Sequence, residues 1–164
     1  AGSQKLYDYV DRNPDVMGAP VDYTNDVRVI AQIDNFISIN NAIDLDLFGQ
    51  VNAESAGLKH ISGTGGQLDF LEGAYRSEGG KGFICMTSAR KAKDGSLKSN
   101  IVAAIPGGST ISAPRGMVQY VATEYGVAKL SGLSLRERAA AMISVAHPQF
   151  REELSRYAKE NFGL

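Results

Sequence analysis

Six residues near the middle of the chain, Ser62-Gly63-Thr64-Gly65-Gly66-Gln67, constrain the fold more than any other stretch. They lie directly ahead of a helix-like run, LDFLEGAYRS over 68–77. A glycine turn that feeds a helix N-terminus aims several backbone N–H groups at one place, which suits phosphate, carboxylate or a developing oxyanion. The same turn also serves as a plain loop-to-helix connection, and six residues do not choose between the two. The spacing is not the dinucleotide pattern G-x-G-x-x-G, and the Lys-Ser/Thr that closes a P-loop is missing. The loop therefore specifies an anion or an oxyanion without naming it.

Around this turn the chain alternates between the two periodicities. Residues 3–12 carry Leu6, Tyr9 and Val10 at helical spacing and stop at Asn13-Pro14. Residues 16–21 read as extended, and Asn25 is placed to cap a short helix with Val27, Ile30 and Ala31. Strand character follows at 36–39, then a half-buried strand over 42–51 with period 2, with Asn40-Asn41 expected as the hairpin turn between them. Beyond the glycine loop the pattern predicts a helix over 67–77 with a glycine C-cap at Gly79-Gly80, and a strand over 81–87. A polar basic loop over 88–99 turns at Asp94-Gly95, and strands are expected at 101–105, 109–112 and 119–123. The C-terminal end is helical: Ser134 and Glu137 form a capping box for 135–146, His147-Pro148 breaks the run, and a last helix puts Phe150, Leu154 and Tyr157 on one face. Strands interleaved with helices give an α/β single domain, with a mixed β-sheet flanked by helices.

Composition narrows the classes. The chain has 164 residues, 43% of them hydrophobic, and a formal net charge of −1, which fits a globular domain and excludes a strongly basic nucleic-acid binder. No window approaches the ~18 apolar residues of a spanning helix, so no membrane role is expected. The single cysteine, Cys85, lies in an apolar strand, which excludes a disulfide framework and points to a reducing, cytoplasmic setting. The opening Ala-Gly-Ser of residues 1–3 reads as a cloning remnant ahead of native sequence.

The side chains with chemistry are scattered. His60 and His147 have no partner at ligand spacing, so no metal site is expected, and His147 reads as a structural cap. Asp44 and Asp46 share one face of a strand, more in keeping with a solvated face than an acid/base pair. Arg90, Lys91, Lys93 and Lys98 form a basic loop opposed only by Asp94, a solvated hairpin or a polyanion contact. Asn52 and Glu54 sit at a strand end within reach of a ligand, and Glu124 lies in the polar break 123–126, as a site residue or a turn cap. No nucleophile–base pair stands out.

Taken as a set, these segments resemble a known family. The series 46–52 (DLFGQVN), 62–70 (SGTGGQLDF), 79–81 (GGK), 123–128 (TEYGVA), 134–139 (SLRERA) and 146–151 (AHPQFR) is similar, in order, to the acetyl-CoA hydrolase/transferase family. The similarity covers nearly the whole chain and corresponds to the C-terminal domain. It is strongest to the branch holding the 4-hydroxybutyrate and butyryl-CoA:acetate CoA-transferases, and residues 51–55 (VNAES) lean the same way.

That resemblance implies a CoA-transferase-like fold and an enzyme of two α/β domains with the acyl-CoA site in the cleft between them. It also implies that the nucleophilic glutamate lies in a preceding N-terminal domain and that residues 1–164 alone are inactive. Neither Glu54 nor Glu124 matches that glutamate. Gly65, Gly66, Asn52 and Glu124 are then expected in the reaction centre: the glycine loop as oxyanion donor, Asn52 as an amide contact to the thioester, and Glu124 ordering the closed cleft. Gln50, Gly63, Thr64, Gln67 and Lys81 are expected to bind substrate, with Lys81 and the basic loop on the CoA phosphates. The expected partners are acyl-CoA, a short-chain carboxylate, the N-terminal domain and a second copy in a homodimer. CoA is a substrate and no metal is required. A CoA hydrolase, a stand-alone phosphate- or nucleotide-binding module and a purely structural domain remain alternatives.

Overall fold

A computed structural model describes residues 2–163; Ala1, the first residue of the expected remnant, lies outside the described residues. Short helices lead: α1 (Gln4–Val10), α2 (Val21–Thr24) and α3 (Val27–Ile30). Ser3 caps α1, its hydroxyl accepting from Leu6 N, so this residue of the expected remnant has a structural role. Asn25 closes α2, and the adjacent Asp26 caps α3.

The central sheet contains β1 (Ile37–Asn40), β6 (Lys81–Cys85), β10 (Tyr120–Thr123) and β11 (Gly126–Lys129), adjacent in that order. β1, β6 and β10 run parallel, and β11 turns back antiparallel on β10. A second sheet, in the order β3 (Val51–Asn52), β2 (Asp44–Asp46) and β9 (Ile101–Val102), mixes antiparallel and parallel pairs. Two hairpins complete the strands: β4 (Ser55–Ala56) with β5 (Lys59–His60), and β7 (Ala89–Lys91) with β8 (Leu97–Ser99). The architecture is the expected α/β domain with mixed strand directions.

Asn40-Asn41 is not a hairpin turn, because β1 and β2 belong to different sheets. The alternating run 42–51 is likewise not one strand. The Asp46 carboxylate accepts from Phe48 N and Gln50 N, and Gly49 takes φ +87°, folding β3 back onto β2. Residues 109–112 form no strand, whereas 126–129, which run on directly from the polar break, form β11.

Three longer helices cover the sheets. α4 (Gln67–Arg76) is the crossover between parallel β1 and β6 and packs on both. It ends on extended Ser77 rather than on the glycines; the Ser77 hydroxyl donates to Ile33 O and accepts from Phe36 N. α5 (Leu135–Ser144) opens on the full Ser134/Glu137 capping box. α6 (Pro148–Phe162) opens on His147, whose ring Nδ1 accepts from Gln149 N, with Pro148 in its first turn. Leu45, Val51, Leu71, Ile84, Ile101, Val121, Leu130 and Met142 are fully buried in one core that joins both sheets to α4 and α5. Cys85 is half-buried in β6. Among the described residues, no helix is long and apolar enough to cross a membrane.

Candidate functional site

Parallel strands give the central sheet two unlike edges. One edge holds the strand carboxyl ends, at Asn40, Cys85 and Thr123; the other holds the starts, at Ile37, Lys81 and Tyr120. In α/β sheets ligands bind beyond the carboxyl ends. Because α4 runs back along the sheet, its N-terminus and the glycine loop return to that edge. Gln67 locks the arrangement: it is buried, and its Nε2 donates to Asn41 O, just past the end of β1, at 2.6 Å.

α4 begins at Gly66 with no side-chain cap, in contrast to the ends closed by Ser3, Asp26, Ser134 and His147. Its first N–H groups are therefore left for another acceptor. Gly65 has φ +58°, and a Cβ added there or at Gly63 meets no atom within 4 Å, so the loop is both left-handed and open. Thr64 is exposed beside them. A cleft of about 440 Å³ runs between Gly65, Gly66 and the α2–α3 segment, lined by Asp22, Asp26 and Asp69. Hydrogen bonds from the Arg28 side chain and N–H hold the Asp26 carboxyl at about 2, and the Arg28 ion pair at 2.7 Å offsets its charge, so Asp22 and Asp69 make that wall negative. A phosphate or oxyanion must approach the loop from the strand-end side.

Glu124 stands at the same edge, in the turn from β10 to β11. Ser88, fully buried just past β6, donates its hydroxyl to one Glu124 oxygen at 2.6 Å and its N–H to the other at 2.9 Å. Burial pushes the Glu124 carboxyl up, but the Ser88 bonds, its own N–H and the nearby His147 outweigh this and hold it below the ordinary glutamate value. Ser88 escaped notice in the sequence; the available signal was its position as the first buried polar residue after an apolar strand.

Asn52 is a correction. It is fully buried, and its Oδ1 accepts from Glu54 N, Ser55 N and Thr110 Oγ1 while its Nδ2 donates to Ser55 O at 2.6 Å. It builds the turn after β3 and has no capacity left for a thioester. Glu54, also buried, has a carboxylate with no hydrogen-bond partner among the described residues. Asp44 and Asp46 are buried too, not on a solvated face. Asp44 pairs with Arg90 at 3.2 Å, and Arg90 also meets Asn100 Oδ1. The loop over 88–99 is thus the β7–β8 hairpin, anchored by Arg90, and its other cations, Lys91, Lys93 and Lys98, stand exposed with no ion-pair partner among the described residues.

Lys81 and Gln50 are corrections of place. Lys81 opens β6 at the strand-start edge, with its Nζ on Gly79 O. Four residue steps of strand, about 13 Å, separate it from the carboxyl edge. Gln50 is held by Asp46 Oδ2 at 2.8 Å in the β2–β3 turn, which Arg138 ties through Phe48 O to Leu130 O at the strand-start edge. The structure thus brings Gly63, Thr64, Gly65, Gly66, Gln67 and Glu124 to one edge and leaves Lys81 and Gln50 outside it. Among the described residues, no group of three or more His, Cys, Asp or Glu is arranged to hold a metal ion.

Comparison with known proteins matches residues 2–158 to the acetyl-CoA hydrolase/transferase C-terminal domain. The chain is 52% identical, over 98% of its length, to a butyryl-CoA:acetate CoA-transferase of Anaerostipes caccae, and 49% identical, over 98%, to a 4-hydroxybutyrate coenzyme A transferase of Clostridium kluyveri. It covers 36% and 37% of those proteins, about a third of their length. Among solved structures, RipA from Yersinia pestis superposes with a TM-score of 0.88 at 42% identity, covering 99% of this chain and 36% of that one. The 4-hydroxybutyrate CoA-transferase of Porphyromonas gingivalis gives 0.77 at 40% identity, covering 98% and 36%.

Proposed function

The chain belongs to the acetyl-CoA hydrolase/transferase family, and from that premise we propose that it is the C-terminal, CoA-binding part of an acyl-CoA:carboxylate CoA-transferase. The whole protein moves CoA between an acyl-CoA, butyryl-CoA or 4-hydroxybutyryl-CoA in type, and a short-chain carboxylate. A glutamate preceding this chain attacks the thioester carbonyl, forming an acyl-glutamyl anhydride and releasing the CoA thiolate. The thiolate then attacks the glutamyl carbonyl, releasing the first acid and leaving a glutamyl-CoA thioester. The acceptor carboxylate reverses both steps. The whole protein works as a cytoplasmic homodimer, with the N-terminal domain closing over this edge, and needs no metal.

Each attack builds negative charge on a carbonyl oxygen, and that charge needs donors already in place. The observation that carries the reading is the uncapped α4 N-terminus behind Gly65-Gly66 at the strand carboxyl ends. Glu124, held ionised by Ser88, orders the acceptor side of the same edge. The fully buried Asn52 positions the β3 end, and the exposed Lys91, Lys93 and Lys98 on the β7–β8 hairpin are the cations placed for the CoA phosphates. Lys81 takes no part at the reacting edge.

A hydrolase is the second reading, because the chain is also 31% identical to an acetyl-CoA hydrolase of Yarrowia lipolytica over 84% of its length. The higher identity to transferases favours carboxylate over water as acceptor. The test is the full-length protein supplied with butyryl-CoA, with and without acetate. Acetyl-CoA formation that exceeds release of free CoA identifies a transferase. Free CoA at the same rate without acetate identifies a hydrolase, and no turnover of either kind in protein that binds CoA returns the domain to a binding module.

A further inference from the structure

The strand-start edge carries a second cluster of cations that the proposed reaction does not use. Arg138, in the first half of α5, is half-buried and reaches across to three separate segments. Its Nε donates to Phe48 O at 2.9 Å, its Nη1 to Leu130 O at 3.1 Å and its Nη2 to Arg115 O at 2.7 Å. A guanidinium has five N–H donors, so two of those on Arg138 remain. Arg115, exposed in the segment leading to β10, lines the same pocket, and its guanidinium has no hydrogen-bond or ion-pair partner among the described residues. The pocket measures about 330 Å³ and is walled by Arg115, Gly116, Leu133, Leu135 and Arg138, with no carboxylate in its lining.

Two like charges facing one space without a counter-ion repel each other. Burial first, then the Arg115 charge, push Arg138 below the ordinary arginine range, and the Asp46 charge only partly opposes them. Asp46 spends both its oxygens inside the β2–β3 turn, on Phe48 N, Gln50 N and Gln50 Nε2, and is fully buried there. It is therefore not the missing partner. The capping box of α5 occupies the Ser134 and Glu137 side chains at the helix entrance, so Glu137 is turned to its own backbone as well.

We propose that Arg115 and Arg138 form an oxyanion-binding pocket at the strand-start edge, separate from the glycine loop, that takes a phosphate group of a small molecule. Planar guanidiniums bind phosphate in paired hydrogen bonds, and Arg138 is held in place by its three carbonyl acceptors before any ligand arrives. The leucine walls lower the local dielectric and strengthen each bond. Arg115, exposed and without a side-chain partner among the described residues, supplies the second guanidinium.

The test is calorimetric titration of the full-length protein with pyrophosphate. Saturable binding is expected, weakened roughly tenfold or more by Arg115→Gln and less by Arg115→Lys, which keeps charge but loses the fork. Arg115 is exposed and makes no side-chain bonds, so neither variant should alter folding, which the melting temperature checks. Arg138 is left untouched because its loss unties three segments. A Lys91→Ala/Lys93→Ala/Lys98→Ala variant is expected to keep pyrophosphate affinity, which separates this pocket from the lysines proposed for the CoA phosphates. Equal affinity in wild type and Arg115→Gln overturns the proposal, as does the absence of saturable binding in the wild type.

Discussion

The two edges of the central sheet solve opposite problems with similar residues. At the carboxyl edge the helix that arrives, α4, is left uncapped behind flexible glycines, and its one firm tie is Gln67 on Asn41 O. At the strand-start edge the arriving helix, α5, is closed by a capping box, and Arg138 binds three loop carbonyls. The first edge keeps backbone donors unspent, while the second spends three donors of one side chain on tying the β2–β3 turn to the segments around β10 and β11. Backbone groups left open cost stability that packing elsewhere must offset, and a fold tolerates this where a ligand supplies the acceptor. The contrast explains how one small domain is both open and rigid.

The largest effect that sharpens this contrast is expected at Gly65. Replacing it with Val puts a β-branched residue at φ +58°, which costs about 1–2 kcal/mol in strain and moves the loop. Turnover of the full-length protein should fall by roughly 100-fold, out of proportion to the drop in melting temperature. Parallel losses would reduce the loop to a structural turn.

Next comes Arg138→Gln, which strips the other edge. Loss of up to three charged bonds should destabilise the domain by about 2–3 kcal/mol in urea unfolding. An unchanged urea midpoint would mean that the tie is dispensable. Asn52→Ala belongs to the same structural group. It should cost about 2 kcal/mol by orphaning Glu54 N and Ser55 N, with kcat/KM per folded molecule little altered. A selective loss of activity with full stability would return Asn52 to the reaction centre.

Ser88→Ala acts on charge rather than packing. Glu124 titrates below its ordinary value in the folded chain, so its contribution is fully present above the unfolded value and is lost as pH falls through the folded one. Without the Ser88 hydroxyl the folded value rises, and both acid unfolding and the acid limb of the rate profile should begin at higher pH. Superimposable profiles would show that Ser88 does not govern Glu124. The smallest effect is expected from Lys81→Ala, with CoA affinity within about twofold of wild type because the lysine lies at the edge remote from the loop. A tenfold loss would place CoA along the whole strand and erase the distinction between the edges.

How far each element was legible follows from the range of the interaction that fixes it. The α5 capping box, Pro148 opening α6 behind His147, and the glycines ahead of α4 are decided within four or five residues, and each stands where the sequence puts it. The alternating run 42–51 misled because period 2 reports a buried face, not an unbroken strand; Asp46 folds it back through side-chain bonds that no periodicity records. Strand β11 was hidden for the same reason, since pairing with β10 rather than composition makes it a strand.

The sequence by itself determined the α/β class, the starts of α5 and α6, the glycine loop and, through the order of its motifs, the family. Only the tertiary structure decided that Asp44, Asp46 and Asn52 are buried, that Ser88 grips Glu124, and that Lys81 and Gln50 stand across the sheet from Gly65. Capping and turn chemistry act between near neighbours in the chain and leave their mark in adjacent letters. Strand order and direction arise from contacts dozens of residues apart, and these choose the edge on which each side chain ends.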